Sequence, residues 1–334
     1  MKTRTFDSLK IHPAWLPALI AAAAWGVLPV TTRMAMHSDS HRNPILLMSF
    51  FLGLRFFISG ILIHFYGKLK EPGSNLIQSL KKILHSTSKV KFTFFIWSII
   101  LLLNYWVQIY AMSKIPAGLY SLLFSMNPLI GVAIATRKEK GSFFLSNLFP
   151  LGLILIGSVL FCLNESFTGG SPDFWAWICF VSGIGTWLSY SFLSDKIMKA
   201  GLSPLQVTGL SQWISLLSTL VLLVQPTQAI EVITENLHLI PFASLTGIIG
   251  VVAIYGYQLA ISRSTKIAFL SQYFEPVITF IAAGYLLGEQ TNLVQWLAAA
   301  LSLYGLYFLM KNSEKEPVQP KIDELHGIEV DSLV

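Results

Sequence analysis

Arg55 and Glu275 are the two ionisable side chains that sit well inside the long apolar stretches of this 334-residue chain. An isolated charge at the centre of a hydrocarbon layer costs roughly 2.5–3.5 kcal/mol on insertion scales, so it persists only where it faces protein, a partner charge or a water-filled cavity. A guanidinium at such a depth can hold an anionic group; a carboxylate can exchange a proton or hold a cation. Counted at ~1.5 Å per helical residue from the ends of their stretches, both come near mid-membrane, close enough in depth to pair. A buried pair can also be purely structural, locking two helices together. Pro276 follows Glu275 and removes a backbone donor, so the carbonyl of Gln272 is expected to remain as an acceptor near the carboxylate.

Around these charges, Trp25, Asn104, Tyr105, Gln108, Asn127, Trp187, Tyr190, Tyr255, Tyr257, Gln258, Gln272 and Tyr273 put aromatic surface and amide groups at membrane depth. Together they suit an organic solute with polar and flat or cationic parts. Taken singly, each also reads as helix packing or an interhelical hydrogen bond. Pro29, Pro128 and Pro276 fall inside apolar helices, where they mark bends around a cavity or plain packing kinks. Cys162 and Cys179 show no metal-ligand spacing and read as buried thiols. The seven histidines are scattered over termini, loops and helix ends, and His64 reads as a boundary anchor. Asn164-Glu165-Ser166 has the form of a glycosylation acceptor, relevant only in a eukaryotic host. The sequence has no phosphate loop, zinc-binding helix pair or nucleophile elbow, so ATP-driven transport and most hydrolase chemistry lose support. It implies no metal or other cofactor and does not read as an enzyme.

The elements that must carry these residues are membrane helices. Hydrophobic residues make up 54% of the chain and charged ones only 12%, against about 25% charged in soluble domains. Helices are expected at 14–33, 44–66, 92–113, 117–136, 143–163, 173–194, 204–224, 239–261, 267–287 and 293–311. Asn43-Pro44, Glu71-Pro72-Gly73, Gly169-Gly170-Ser171-Pro172, Gly201 with Pro204, and Gln225-Pro226 punctuate them. Lys2, Arg4 and Lys10 ahead of Ala21 to Ala24 resemble a signal peptide, but the run from Ala14 to Thr32 is long for a signal core and reads as an uncleaved helix. The chain then divides into a cytoplasmic segment 1–13, two five-helix units at 14–163 and 173–311, and a charged, disordered tail at 312–334.

With the N-terminus in the cytoplasm, nineteen of the 23 Lys and Arg residues fall on the inside and only Arg33, Arg42 and Lys114 outside, Arg55 being intramembrane. That asymmetry places both termini in the cytoplasm. It also explains the net charge of +6 without nucleic acid, because the basic residues lie in loops and not on one amphipathic face.

The halves echo each other. Ala111-Met112-Ser113-Lys114 leads into Asn127-Pro128, and Ala260-Ile261-Ser262-Arg263 leads into Glu275-Pro276; Trp25 answers Trp187, and Asn43-Pro44 answers Ser203-Pro204. Because each half has an odd number of spans, the second copy is inverted relative to the first, a device of secondary transporters that work by alternating access. Chance alignment in Leu-rich sequence is the bland alternative.

The span from Ala111 to Arg137 with Asn127-Pro128-Leu129, and that from Ser271-Gln272-Tyr273-Phe274-Glu275-Pro276 through Gly288-Glu289, resemble the two repeats of the drug/metabolite transporter superfamily, EamA type. Trp25-Gly26 with Pro29, and Asn104 with Tyr105-Trp106, are more particularly similar to its RarD-like branch. The resemblance covers residues 14 to 311 and implies an all-α integral membrane fold of ten transmembrane helices in two inverted five-helix repeats. It also implies a central cavity lined by helices one, three, four, six, eight and nine. Arg137-Lys138-Glu139 departs from the usual end of the fourth helix, and Glu275 stands where a small or apolar residue is expected.

The function expected is a gradient-coupled secondary transporter, exporting a small amino-acid-like metabolite or amphiphilic drug across a bacterial inner membrane. Its partners are the lipid bilayer, a small-molecule substrate and protons; a homodimer is compatible with this reading. An importer or exchanger of phosphorylated solutes is the alternative, which would display several cavity cations where only Arg55 is central. A membrane enzyme or receptor would need a polar cluster converging at one membrane face, which the sequence does not offer.

Overall fold

Runs of about twenty apolar residues in a hydrocarbon layer leave backbone polar groups no partner but one another, and helices satisfy them all within the segment. The computed structural model describes residues 12–36, 44–71, 76–114, 127–136, 146–163, 174–286 and 292–313, and every regular element among them is helical. In chain order these are α1 (Trp15–Met36), α2 (Pro44–Lys70), α3 (Leu76–Leu84), α4 (Ser88–Lys114), α5 (Asn127–Ala135), α6 (Leu148–Leu163), α7 (Phe174–Lys199), α8 (Pro204–Leu216), α9 (Pro226–Glu235), α10 (Ile240–Ile261), α11 (Thr265–Ser271), α12 (Glu275–Leu286) and α13 (Leu293–Ser313). Among the described residues, seven helical stretches are long and apolar enough to cross a membrane, with shorter apolar helices at Trp15–Leu28 and Leu148–Leu160. The protein is a multi-pass membrane protein. The described part of the span expected at 117–136 is α5. The segment 1–11, Arg137-Lys138-Glu139, Asn164-Glu165-Ser166, Gly288-Glu289, the tail from 314 and the side chains of Pro29 and Cys162 lie outside the described residues.

Several boundaries move for identifiable reasons. The helix expected to stop at residue 194 runs to Lys199, where Lys199 and Asp195 pair at 2.8 Å one turn apart. It ends at Gly201, whose φ of 102° is open to glycine without strain. The Gly201 and Leu202 amides then turn back to the Met198 and Ile197 carbonyls. Ser203 opens α8 with a capping box to Gln206, and Pro204 takes the first helical turn. The span expected at 204–224 tightens after α8 into a 3-10 helix at Leu217–Leu223. Two short amphipathic helices, α3 and α9, were not expected from the sequence.

The ninth expected span corrects the reading of Pro276. It is α11, a 3-10 turn at Gln272–Phe274, and then α12. The Gln272 carbonyl is not left free, because the chain tightens by one residue and the Glu275 amide donates to it.

Helix α10 occupies the middle, packed against α1, α2 and α8. The other principal pairings are α4 with α7, α6 with α13, α5 with α11, α2 with α8, and α1 with α12. Close approach fixes the last of these. A methyl group on Gly26 of α1 would sit 2.7 Å from the Glu275 carbonyl and from Ile278 Cβ.

Candidate functional site

Trp187, Tyr190, Ser191 and Ser194 recur at helical spacing and so share one face of α7. That face meets α10, α4 and α1. Gln258 of α10 donates to the Tyr190 hydroxyl at 2.7 Å and reaches Ser194 Oγ at 3.3 Å. Trp97 Nε1 of α4 donates to the same Ser194 oxygen at 2.9 Å. One turn away, the Tyr257 hydroxyl lies 3.0 Å from Ser191 Oγ and accepts from Gln272 Nε2 at 3.0 Å. Tyr190, Tyr257, Ser191, Ser194, Gln258 and Trp97 are each at most 1% exposed, so these bonds form away from solvent, where leaving them unmade would cost about 1–3 kcal/mol apiece.

Aromatic rings knit the same helices together. Trp25 of α1 meets Trp187 edge to face at 5.1 Å and Tyr257 at 4.8 Å, while Trp187 stacks on Tyr257 at 5.3 Å. Trp97 stacks on Tyr190 at 5.7 Å. Further along the α4–α7 contact, Asn104 Oδ1 accepts from Gln108 Nε2 and Thr186 Oγ1, both at 2.9 Å.

The structure therefore joins Trp25, Trp187, Tyr190, Tyr257, Gln258 and Gln272 in one cluster, with Asn104 and Gln108 in a neighbouring one. Tyr255 is outside it, against Tyr66 at 5.7 Å. Arg55 and Glu275 do not pair. Arg55 lies at the α2–α10 contact, where a methyl on Gly250 would be 3.2 Å from its Nε and 3.3 Å from its Nη2. The Glu275 backbone lies against Gly26 of α1, and its carbonyl accepts from Thr279 Oγ1 at 3.0 Å. The ion pair between described residues is instead that of Asp195 with Lys199, at a helix end. Depth in the membrane follows from residue counting, but the two charges belong to different helix interfaces.

Tyr105 of α4 meets Phe56, the residue after Arg55 in α2, edge to face at 4.6 Å. Several of the predicted residues carry buried polar atoms without a hydrogen-bond partner: Arg55 Nε, both amide atoms of Asn127, Trp187 Nε1, Gln258 Oε1 and Tyr273 Oη, joined by Ser215 Oγ. Such atoms are rare in folded proteins, and each calls for an explanation. Pro276 is the second residue of α12, directly after the 3-10 turn and Glu275; Pro128 lies in α5 and Pro29 within the continuous helix α1.

Sequence reasoning missed Trp97, Thr186, Ser191, Ser194 and Ser215. The spacing of Trp187, Tyr190, Ser191 and Ser194 was the available signal, since it places four side chains able to hydrogen-bond on one helical face. A small cleft lies elsewhere, between α2, α3 and α8, lined by Ile63, His64, Leu76, Gln206, Leu210 and Trp213 among others. It is separate from the aromatic and amide cluster.

No curated protein matches the chain. A solved crystal structure, described only as that of a protein, superposes with a TM-score of 0.66 at 17% identity, over 89% of this chain and 98% of the other, a likeness of fold. The model of the EamA-like transporter family matches twice, over residues 13–163 and 173–311. The first match contributes Trp25, Trp97 and Asn104 and the second Thr186, Trp187, Tyr190, Tyr257 and Gln258, so the cluster lies on the seam between the two, and the chain belongs to the EamA-like transporter family.

Proposed function

We propose that the protein is a gradient-coupled secondary transporter that exports a small amino-acid-like or amphiphilic solute across the bacterial inner membrane by alternating access. The observation that carries this reading is the seam itself. Trp25 and Trp97 from one matched segment interlock with Trp187, Tyr190, Ser194 and Tyr257 from the other, and buried polar atoms there lack a protein partner. Side-chain contacts of this kind can be remade when one half rocks against the other.

Ten spans in two inverted five-helix repeats, 14–163 and 173–311, account for the helix pairings. Pairing α1 with α10 and α4 with α7 matches first with eighth and third with sixth span, which are mirror choices under such a relation. The pairs α2 with α8, α5 with α11 and α6 with α13 join each span to its own counterpart. On the charge asymmetry both termini are cytoplasmic. Tags after Lys89 and at the C-terminus should then report cytoplasm and one near Gly170 the outside; three tags on one side would contradict this topology.

Glu275 is the candidate proton carrier, an interior carboxylate without a basic partner. Arg55 is the central cation, and its solitude favours a neutral, zwitterionic or singly charged solute over a phosphorylated one. These residues, and not the RarD-like branch, in which Glu275 would not be expected, support this choice of solute. The test is a flux screen in proteoliposomes with amino acids, nucleosides and cationic dyes, with and without a pH gradient. Protein-dependent flux that responds to the gradient is expected; flux no greater than in protein-free liposomes for every class would contradict the reading.

A further inference from the structure

We infer that Arg55, with the hydroxyls of Tyr105 and Ser215, is the seat of a single carboxylate on the transported solute; the inference rests on the transport reading and names the chemistry of its cargo. Arg55 is the central cation, yet Glu275 does not neutralise it, and no acidic side chain pairs with it among the described residues. Its Nε is buried without a hydrogen-bond partner. The backbone holds it there deliberately: Ser59, one turn along α2, donates to the Gly247 carbonyl of α10 at 2.8 Å, and the missing side chain at Gly250 makes the notch that the guanidinium fills.

The walls are of one chemical kind. Phe56 presents its ring 5.6 Å from the Arg55 carbon and is met by Tyr105. Beside Tyr105, within reach of its hydroxyl, lies Ser215 of α8, whose Oγ is buried. A guanidinium fork and two hydroxyls form a donor-rich set suited to a planar acceptor with two oxygens. One cation balances one negative charge, so a monoanion fits and a phosphate dianion leaves a buried surplus. The helix of Tyr105, α4, also carries Trp97, which stacks on Tyr190 of the Trp187 cluster, and this gives the rest of the solute a flat apolar surface.

The test is calorimetric titration of the purified full-length protein in detergent with 3-phenylpropanoate, its neutral amide, phenyl phosphate, phenethylamine and decanoate. The acid is expected to bind at least about tenfold more tightly than the amide, about 1.4 kcal/mol, and more tightly than the phosphate or the amine. Arg55→Gln should erase that preference by weakening binding of the acid far more than that of the amide, and Arg55→Lys should restore part of it. If Arg55→Gln does not fold, Gly250→Val, which fills the notch, and Tyr105→Phe should each reduce the preference. Equal binding of acid and amide, tighter binding of the phosphate, no binding of the acid, or a preference that survives these substitutions would overturn the inference. Binding of decanoate alone would assign the site to a lipid carboxylate and also overturn it. Gradient-driven flux of a neutral solute separates the two readings, since it would leave the transporter standing with the carboxylate seat refuted.

Discussion

Trp25 and Trp187, which answer each other in the two halves of the sequence, meet edge to face with ring centroids 5.1 Å apart. Trp25 lies in the first segment matched by the family model and Trp187 in the second, so this contact crosses the seam between them. Both rings also meet Tyr257, and three aromatic rings from α1, α7 and α10 close around one point.

Trp187→Ala should therefore cost more than a typical surface change. It removes a stack and an edge contact, each worth about 0.5–1.5 kcal/mol, within a Trp→Ala loss of about 3–5 kcal/mol. Trp187→Phe should recover part of it. Thermal unfolding of the purified variants in detergent checks the order, and equal melting temperatures for Ala and wild type would contradict it.

Ser194 is the shared acceptor of Trp97 and Gln258. Ser194→Ala leaves the Trp97 donor buried and unpaired, for a loss of about 1–3 kcal/mol. Ser194→Ala with Trp97→Phe, which removes the donor as well, should lose less than the sum of the two single changes. A double-mutant cycle in thermal stability measures this, and strict additivity would count against the bond.

Much of this arrangement was legible in the sequence, and for a physical reason. Long apolar runs can only be helices in lipid, so the spans and the depth of Trp25, Trp187 and Glu275 follow from counting residues. Rotation about a helix axis does not. Arg55 and Glu275 are expected at one depth but face different neighbours, Arg55 against Gly250 and the Glu275 backbone against Gly26. The serines at 191, 194 and 215 went unnoticed because a helical serine commonly bonds its own preceding turn, as Ser191 also does to the Trp187 carbonyl at 2.9 Å. Helices α3 and α9 were missed because nine or ten mixed residues carry no span signal. The 3-10 turn before Pro276 resolves locally what the sequence showed only as a missing donor.

Gly26→Ala should separate α1 from α12, since the added methyl meets the Glu275 backbone at 2.7 Å and a backbone cannot rotate away. Overpacking of this kind costs about 1–3 kcal/mol. Gly152→Ala, where nothing lies within 4 Å, is the matched control and should be neutral or slightly stabilising. Thermal stability of the two variants distinguishes a specific close approach from a general intolerance of substitution.

Because Arg55 and Glu275 share no ion pair, Arg55→Gln and Glu275→Gln should destabilise independently. Their double-mutant cycle is expected to close within about 0.3–0.5 kcal/mol. Recovery of stability in the double variant beyond that margin would restore the pair.

On the transport reading, an interior carboxylate couples a gradient to solute movement at the seam between the two matched segments. Glu275→Gln keeps the size and hydrogen-bonding capacity of the side chain and removes its proton chemistry. The decisive measurement is solute flux in proteoliposomes for the parent and Glu275→Gln proteins, with and without an imposed pH gradient. The variant should insert and fold normally, lose gradient-driven flux and retain exchange of solute for solute. Equal flux with the same pH dependence in both proteins would make Glu275 a packing residue and contradict the coupling.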